Sequence, residues 1–505
     1  MVAAVPTTTR ARADTVVPWA LAAGTAAVYT LFAVLQWRLL ESPSWDLGIF
    51  TQLAKAYAQP AAPVVTIKGE GFNLLGDHFH PLLVVLGPVY RLFPSGLTLL
   101  VLQALLLGLS VQPVTSVARE LLGPARGTVL GVAYGLSWGL QGAVGAQFHE
   151  IALAVPLLAA ALAAFLRGRW RAAALWAAPL VLVKEDLGLT VAALGAVMVW
   201  RAGRGRPGPE SSPGTGHLRR VWRSTQGRTG ALVLVWGVAW SVLAIGVVLP
   251  ALNPGGTWDY YDRLDPAADA SLLVRVLTPG EKWVTVLLLV GSAGVVGATS
   301  PLVWLWLPTL AWRFVGNVPF YWGWDWHYSA VLMPVAAAAL LDVVAGRGDR
   351  TAGGPAPPDR TEPADRRAPP GTGAGGWATL GVVATTATTL LMTPVMPLGR
   401  LAEPATYALP ERHDAAMAAI EAVPAGATVE TDIYLMAYLV PRAQVYWVGN
   451  PGNPAPDYVQ LDTLRRTWPD RDITDAASFA EERHPGTDYA LVLDAGGFQV
   501  ARRVG

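Results

Sequence analysis

Carboxylates, histidines and a lysine gather in five short stretches that border apolar runs of the sequence. They are Asp46 in "SPSWDLGIF", Asp77, His78 and His80 in "GDHFHPLL", His149 and Glu150 in "QFHEIAL", Lys184, Glu185 and Asp186 in "KEDLG", and Asp325 and His327 in "YWGWDWHYSA". Charged groups are costly beside lipid, and those found there usually face a functional cavity. A lone Asp46 also fits an interfacial helix cap, but the recurrence of such groups favours one shared site.

These residue types suit group transfer from a phosphate-bearing donor. A carboxylate can take the proton of a hydroxyl nucleophile. Histidines and cationic side chains can hold a phosphate leaving group. Lys184 and Arg313 are candidates for that role, as are His149 and His327.

A divalent cation, Mg²⁺ or Mn²⁺, is the alternative means of neutralising phosphate. Its ligands would come from Asp46, Asp77, His78 and Glu150. The sequence contains no H-x-x-x-H or H-E-x-x-H spacing, so the pattern for a metal is weak. His78 and His80 are two residues apart and point in different directions on a strand or a helix, so they need not serve one site.

Aromatic residues are concentrated before the last apolar runs. The set comprises Trp304, Trp306, Trp312, Phe320, Tyr321, Trp322, Trp324, Trp326 and Tyr328. One interpretation is an aromatic belt at the membrane interface. The functional interpretation is a platform for sugar rings or a polyprenyl chain, with Trp324, Asp325, His327 and Tyr328 as substrate contacts. A second aromatic and acidic loop, 253–266 with Asp259 and Asp262, is expected to be a surface or lid loop.

Composition indicates the scaffold that must position these groups. The chain of 505 residues is 53% hydrophobic and 14% charged, and its mean hydropathy is +0.38. Soluble proteins carry about a quarter charged residues, so a polytopic membrane protein is predicted. The absence of cysteine excludes disulfides, thiolate metal sites and cysteine nucleophiles. The net charge of +1 gives no basis for nucleic-acid binding, and none is expected.

Apolar stretches predict about eleven transmembrane helices. They lie at about 17–39, 96–117, 125–146, 151–166, 170–183, 187–200, 230–251, 282–299, 301–316, 329–345 and 376–396. Arginine-rich connections mark the cytoplasmic side, which places the N-terminus in the cytoplasm and the acidic and histidine-bearing loops outside. The two legs around Lys184–Asp186 are too short to span the hydrocarbon core, so this apex is expected to dip into a protein-lined cavity.

The loops between the apolar stretches differ in composition on the two sides of the membrane. The first outer loop, 41–95, contains two amphipathic segments, "DLGIFTQLAKAYA" and "HPLLVVLGPVYRLF", expected to lie along the interface. The inner loops 202–228 and 346–375 are rich in Pro, Gly and Arg and are expected to be disordered.

Two domains follow from this division. Residues 1–396 form the transmembrane domain. In residues 400–505, a helix pattern and the strand-like pieces "ATVETD", "AQVYWV", "DYVQLD" and "YALVLDAGGFQVARR" predict a small extracytoplasmic α/β domain.

The first outer loop resembles that of GT-C glycosyltransferases, which have an acidic residue after helix one and a later "(H/K)PPL" motif. Asp46 matches the first position, and His80-Pro81-Leu82 matches the second. "WDLGIFTQ", "GDHFHPLL", "FHEIALAVPLLAAAL", "KEDLGL" and "WHYSAVLMPV" resemble, more closely, the bacterial membrane family called domain of unknown function 2079. That resemblance covers roughly residues 40–345.

The resemblance implies a GT-C-like fold in the bacterial plasma membrane and a polyprenyl-phosphate-linked sugar donor. Asp46 would be the general base, and His80 would lie near the donor phosphate. Leu47 stands where a second acidic residue is common, and one proline replaces the usual pair. Glu185 would then supply the missing catalytic carboxylate, with Asp77, Glu150 and Asp186 as its alternatives.

The function predicted from these features is transfer of a sugar, a hexose or pentose, to a cell-envelope glycan or lipid acceptor at the outer leaflet. A transporter or flippase with a proton relay is the rival prediction, although polar groups at mid-helix and internal repeats, which transporters favour, are not evident. A non-catalytic envelope assembly protein is the third.

Overall fold

The computed structural model describes residues 7–204, 217–258, 260, 271–351, 372–465 and 473–504. The α-helices of the N-terminal part are α1 (Thr7–Arg38), α2 (Asp46–Ala58), α3 (Leu86–Leu92), α4 (Gly96–Leu122), α5 (Pro124–Gly135), α6 (Trp138–Gly145), α7 (Ile151–Leu166), α8 (Trp170–Ala177), α9 (Leu187–Arg204), α10 (His217–Arg223), α11 (Thr225–Leu243), α12 (Leu249–Leu252), α13 (Leu272–Leu277), α14 (Glu281–Ser292), α15 (Leu307–Val315), α16 (Leu332–Thr351) and α17 (Thr372–Met392). Short 3₁₀ turns join several of them.

Five helices within these residues are long and apolar enough to cross a membrane. They are Asp14–Arg38, Gly96–Leu122, Thr225–Leu252, His327–Gly346 and Gly375–Val395. Three shorter apolar helices, Pro81–Leu92, Ile151–Leu166 and Trp170–Leu182, accompany them. The protein is therefore a mainly helical membrane protein, and the eleven crossings stay a prediction.

The largest apolar core lies where α1, α4, α6, α7 and α9 meet α16. Trp138, Phe165 and Tyr29 are among its fully buried side chains. Small residues allow close helix approach: a Cβ at Gly108 in α4 would lie 2.6 Å from the Cβ of Ala26 in α1. Such packing suits helices that cannot rely on water to drive their association.

The first outer loop forms helices at both predicted amphipathic segments. "DLGIFTQLAKAYA" coincides with α2, and "HPLLVVLGPVYRLF" folds as a 3₁₀ turn (Pro81–Val85) followed by α3. Ser44 precedes α2 and contacts its first residue: its hydroxyl accepts from the Asp46 backbone N–H and donates to Asp46 Oδ2 at 2.6 Å. A carboxylate in the first helical turn also complements the helix dipole.

Two predicted apolar runs are interrupted in ways that matter for the site. Run 125–146 is divided into α5 and α6 at residues 136–137. The helix of run 230–251 contains a π turn at Ala244–Val248, which lies between α11 and α12. Such π turns often occur at functional sites.

The predicted disorder of the inner loops needs correction for the residues that the structure describes. Residues 217–228 are helical, as α10 and the start of α11, because the Ser224 hydroxyl caps the second helix by accepting from the Gly227 N–H at 2.9 Å. Residues 346–351 continue α16, and α17 begins at Thr372. The remainder of both loops lies outside the described residues.

The C-terminal part is a small α/β unit, as predicted. Its elements are α18 (His413–Glu421), β1 (Thr428–Thr431), α19 (Ile433–Leu439), β2 (Gln444–Trp447), β3 (Tyr458–Asp462), α20 (Ala476–Arg483), β4 (Tyr489–Ala495) and β5 (Phe498–Arg503). The strand order is β2-β1-β3-β5-β4, with β1 parallel to β2 and β3, and β5 antiparallel to its neighbours. Gly496 and Gly497 join β4 to β5 with positive φ angles of 54° and 84°, as a tight hairpin requires.

This sheet unit packs on α2 and on the 3₁₀ turn Thr66–Lys68. Lys55 Nζ donates to the carbonyls of Val440 and Ala443 at 2.7 and 2.9 Å. Thr66 Oγ1 donates to the Val445 carbonyl at 2.7 Å. Gly48 faces Met436 so closely that a Cβ there would lie 2.8 Å from the methionine sulfur. The sheet unit thus braces the helix that begins at Asp46.

Candidate active site

A cavity of about 590 Å³ opens between α2, the first outer loop, the start of α9 and α15. Eleven predicted site residues line it: Asp46, Asp77, His78, His80, His149, Glu150, Lys184, Glu185, Asp186, His327 and Tyr328. They come from five separate stretches of sequence, and the structure brings them together as predicted from their chemistry. His78 and His80 share this cavity although their spacing did not require it.

Asp46 is the first residue of α2 and lines the cavity. Burial opposes its ionisation, but the neighbouring His149 and the Ser44 hydroxyl outweigh burial and hold the pKa of Asp46 below its usual value. Ser44 Oγ and His149 Nε2 lie 2.6 Å and 3.6 Å from Asp46 Oδ2. Both side-chain contacts of the carboxylate are to Oδ2, so Oδ1 is without a partner among the described side chains, and Asp46 lines the cavity. Asp46 is therefore an ionised carboxylate with one oxygen available to a ligand.

His149 is held in place by Gln103 of α4. Gln103 Nε2 donates to the carbonyls of Ala143 and Gln147 at 2.9 and 2.8 Å, and its Oε1 accepts from the His149 N–H at 3.1 Å. Gln147 adopts a positive φ of 72°, which is uncommon for a residue with a Cβ and often marks a functional turn. The His149 ring stacks on His327 with centroids 3.5 Å apart.

Two buried ion pairs join the Lys184–Asp186 apex to other stretches. Lys184 Nζ donates to Glu150 Oε1 at 2.8 Å. Glu185 Oε1 lies 2.8 Å from His78 Nδ1, and Glu185 Oε2 accepts from the Phe79 N–H at 3.0 Å. Burial opposes the ionisation of Glu185, but the charge of His78 and its hydrogen bond overcome it and lower the pKa of Glu185 to about 2. The Lys184–Asp186 apex is therefore buried in protein, as predicted from the shortness of the apolar runs on either side of it.

Several buried polar atoms of the cavity have no partner among the described residues. They are Asp77 Oδ1, His80 Nδ1, Asp186 Oδ1 and His327 Nδ1. Burial lowers the pKa of His80 to about 4, so His80 is neutral near pH 7. Buried polar atoms normally have hydrogen-bond partners. These four atoms therefore have unused hydrogen-bonding capacity in residues that line the cavity.

An aromatic wall faces the apex. Trp312 Nε1 donates to Asp186 Oδ2 at 3.0 Å, and its ring lies 5.5 Å from Tyr328 and 5.2 Å from Tyr321. Phe320 and Trp326 also line the cavity. Burial raises the pKa of Asp186. A carboxylate at the edge of an indole ring, with further aromatic rings nearby, can bind both the hydroxyls and the apolar face of a sugar ring.

Three predicted binding residues do not line the cavity. Arg313 is fully buried and donates to the Tyr321 carbonyl at 2.6 Å, Ser329 Oγ at 3.0 Å and the Gly323 carbonyl at 2.8 Å. These three hydrogen bonds hold the Arg313 guanidinium against the aromatic loop and outside the cavity lining, so Arg313 does not face a phosphate bound there. Asp325 is exposed, and Trp324 packs against the helical core, because the loop turns Trp326 and His327 inward instead.

The candidate metal ligands do not converge. Asp46, Asp77, His78 and Glu150 each pair with a different group: His149, Lys68, Glu185 and Lys184 respectively. In the described ranges no three His, Asp or Glu side chains are grouped as a metal site requires. The residues present therefore do not fit a divalent cation held by this set.

Sequence reasoning missed Lys68 and Tyr260. Lys68 Nζ pairs with Asp77 at 3.3 Å and lies 5.4 Å from the Trp45 ring. Tyr260 Oη lies 2.6 Å from His78 Nε2, which brings the loop after α12 to the cavity. The aromatic character of that loop was a signal for Tyr260, whereas Lys68 gave none. Asp259 and Asp262 of the same loop lie outside the described residues.

The family described as "Predicted membrane protein (DUF2079)" matches residues 36–492. The chain belongs to this family. The matched region of this DUF2079 protein includes every residue that lines the cavity. No curated protein matches the chain.

The DUF2079 protein is similar to solved structures at low sequence identity. ArnT from Cupriavidus metallidurans bound to undecaprenyl phosphate is 15% identical, with a TM-score of 0.53 over 96% of this chain and 98% of that one. The apo oligosaccharyltransferase of Archaeoglobus fulgidus is 12% identical, with a TM-score of 0.47 over 93% and 69% of the two chains. Both are GT-C glycosyltransferases. The likeness to ArnT shows a GT-C-like fold.

Proposed function

We propose that the protein is a membrane glycosyltransferase that moves a sugar from a polyprenyl-phosphate donor to a cell-envelope acceptor at the outer leaflet. The observation that carries the proposal is Asp46: an ionised carboxylate in the lining of a cavity of about 590 Å³. The GT-C-like fold supports the reaction class, since ArnT has been crystallised with undecaprenyl phosphate.

The lining of the cavity suits a ligand that is both polar and lipidic. The unpartnered atoms of Asp77, His80, Asp186 and His327 match the many hydroxyl groups of a sugar. Leu189, which is 41% exposed, and Ile245 of the π turn form an apolar part of the same lining. A polyprenyl chain can enter along this apolar side while its head group lies among the polar residues.

Lys68 and Lys184 are the cations that face the donor phosphate. Lys184 is held by Glu150, and Lys68 by Asp77, so both ammonium groups have fixed positions. Preorganised charges of this kind stabilise the charge that develops on a leaving phosphate. Asp46 then takes the proton of the acceptor hydroxyl in a single displacement that inverts the anomeric centre.

The proposal places the cavity and the C-terminal sheet unit outside the plasma membrane, because the arginine-rich connections identify the opposite side. Cysteine substitutions at exposed Asp414 and at Arg228 test this sidedness. A membrane-impermeant thiol reagent applied to intact cells is expected to label the first and not the second. The native chain has no cysteine, so the background is nil.

The reaction is tested with the purified full chain in lipid nanodiscs. A panel of radiolabelled undecaprenyl-phosphate hexoses and pentoses is incubated with envelope extract from cells that lack this protein. The expected result is transfer of label to the extract, abolished by Asp46→Asn and Glu185→Gln and retained by the exposed control Asp414→Asn. Full transfer by both cavity variants would overturn the proposal. Transbilayer movement of donor without a covalent product would identify a transporter instead.

A further inference from the structure

We infer that Asp46 and His149 act together as one proton acceptor, so that His149 is a positioning and proton-holding residue rather than a phosphate ligand. This inference rests on the proposed function. Its basis is the geometry of the two side chains and of the groups around them. His149 is 4% exposed, and its Nε2 lies 3.6 Å from Asp46 Oδ2.

The backbone fixes the tautomer of His149. Its Nδ1 lies 3.2 Å from the Gln147 carbonyl oxygen, which can only accept a hydrogen bond, so Nδ1 carries a proton. Nε2 therefore presents a lone pair to Asp46 when the ring is neutral. Two facing lone pairs repel each other, and one proton between them removes the repulsion. The pair is thus built to hold a single proton.

The two oxygens of Asp46 have different surroundings. Oδ2 accepts from Ser44 at 2.6 Å and faces His149, whereas Oδ1 is open to the cavity. An acceptor hydroxyl therefore reaches Oδ1. The Asp46 carboxylate can therefore contact the acceptor hydroxyl through Oδ1 and His149 through Oδ2 at the same time.

The proposed step transfers the sugar to the acceptor and one proton to the protein. The acceptor oxygen bonds to the anomeric carbon as its proton moves to Oδ1 of Asp46. The bond from that carbon to the phosphate oxygen breaks, and the electron pair leaves with polyprenyl phosphate. Rotation about Cβ–Cγ brings the proton to Nε2 of His149, which regenerates the carboxylate beside an imidazolium.

The neighbouring groups favour a proton on His149 over one on His327. The two rings stack 3.5 Å apart, so repulsion prevents both from being cationic. The Asp46 carboxylate adjoins His149, with Oδ2 3.6 Å from Nε2. Glu150 is neutralised by Lys184, and Tyr328 lies against His327 with ring centroids 4.0 Å apart. Asp46 is thus the unneutralised anion that faces the stack.

The kinetic test uses His149→Gln in the nanodisc transfer assay, with His413→Gln on the sheet unit as the matched control. His149→Gln is expected to lower kcat by roughly 100-fold, as loss of a proton acceptor does, with KM for the donor changed less than about 2-fold. The acid limb of its pH–rate profile moves to lower pH, because Asp46 alone then titrates. An unchanged limb, or a rise in KM with kcat retained, would overturn the dyad while leaving the glycosyltransferase proposal intact.

A second test does not depend on turnover. Protein labelled with ¹⁵N-histidine is examined by NMR at fixed pH, and the His149 signals are assigned from their loss in His149→Gln. The expected spectrum shows a protonated Nδ1, which donates to the Gln147 carbonyl, and an Nε2 chemical shift that changes in Asp46→Asn because the facing carboxylate is gone. An Nε2 shift unaffected by Asp46→Asn would overturn the inference whether or not transfer is observed.

Discussion

Glu150 Oε1 lies 2.8 Å from Lys184 Nζ, and this buried ion pair joins two turns that are 34 residues apart in the chain. Each turn precedes a helix, α7 after Glu150 and α9 after Asp186. The pair therefore does two things at once: it fixes the distance between these helices and holds an ammonium group beside the aromatic wall. The Lys184 ammonium lies 6.0 Å from the centre of the Trp312 ring.

Removing one partner of this pair should be costly. Lys184→Met leaves the Glu150 carboxylate buried without its cation, which typically costs about 3–5 kcal/mol. The double variant Lys184→Met/Glu150→Gln should recover most of that loss while remaining unable to transfer sugar. Thermal unfolding in detergent measures the two changes. Equal loss in the single and double variants would show that the pair is not the source of the stabilisation.

Arg313→Lys should loosen the aromatic wall. The guanidinium donates to acceptors on Tyr321, Gly323 and Ser329, and a lysine ammonium group can reach only some of these three. Each acceptor left unsatisfied costs about 1–3 kcal/mol. The expected result is a lower melting temperature and a raised KM for the donor, measured together. Arg91→Lys, at an exposed site of α3, is the control expected to change neither.

Gly48→Val tests the contact between α2 and the sheet unit. The added side chain would meet Met436 at less than van der Waals distance, and overpacking of this kind costs about 1–3 kcal/mol. Limited proteolysis should then cleave the sheet unit faster than in the native chain. Gly24→Val in α1 is the matched control, since nothing lies within 4 Å of a Cβ there. Comparable cleavage of both variants would mean that this contact does not hold the unit.

The stability of the sheet unit should fall as pH rises from about 4 to about 6. Burial raises the pKa of Asp432 from 3.8 to about 6. Between these values the native state binds a proton that the unfolded state has lost, so unfolding becomes easier with rising pH by roughly 3 kcal/mol in total. Asp432→Asn should flatten this slope relative to Asp414→Asn. Unfolding followed by tryptophan fluorescence at several pH values gives the comparison.

The sequence predicts α2 because the segment "DLGIFTQLAKAYA" has an amphipathic pattern, and the helix covers the same residues, Asp46–Ala58. It also predicts that the "KEDLG" apex is buried, because its flanking runs are too short to span lipid. Both conclusions depend on local information. The strand-like piece "YALVLDAGGFQVARR" shows the limit, since only the paired glycines indicate that it is a hairpin of two strands rather than one.

The site could be predicted in its residue types but not in its pairs. Lys68 lies in a segment without periodicity, and its partner Asp77 becomes apparent only when the loop is folded. Arg313 lies in an apolar run and Lys184 lies between two such runs, yet Arg313 is bound by two carbonyls and a hydroxyl whereas Lys184 lines the cavity. Sequence identifies an expensive buried charge in both cases. Which acceptors surround it is decided by long-range packing.

The contact of Lys55 and Thr66 with carbonyl oxygens beyond residue 439 means that the C-terminal region is not a detachable module. A chain shortened before this region would expose the outer face of α2 and leave an ammonium group there with no acceptor. Fusion proteins, chimaeras and crystallisation fragments that end near residue 400 should therefore be designed with the whole sheet retained, even when only the membrane part is of interest.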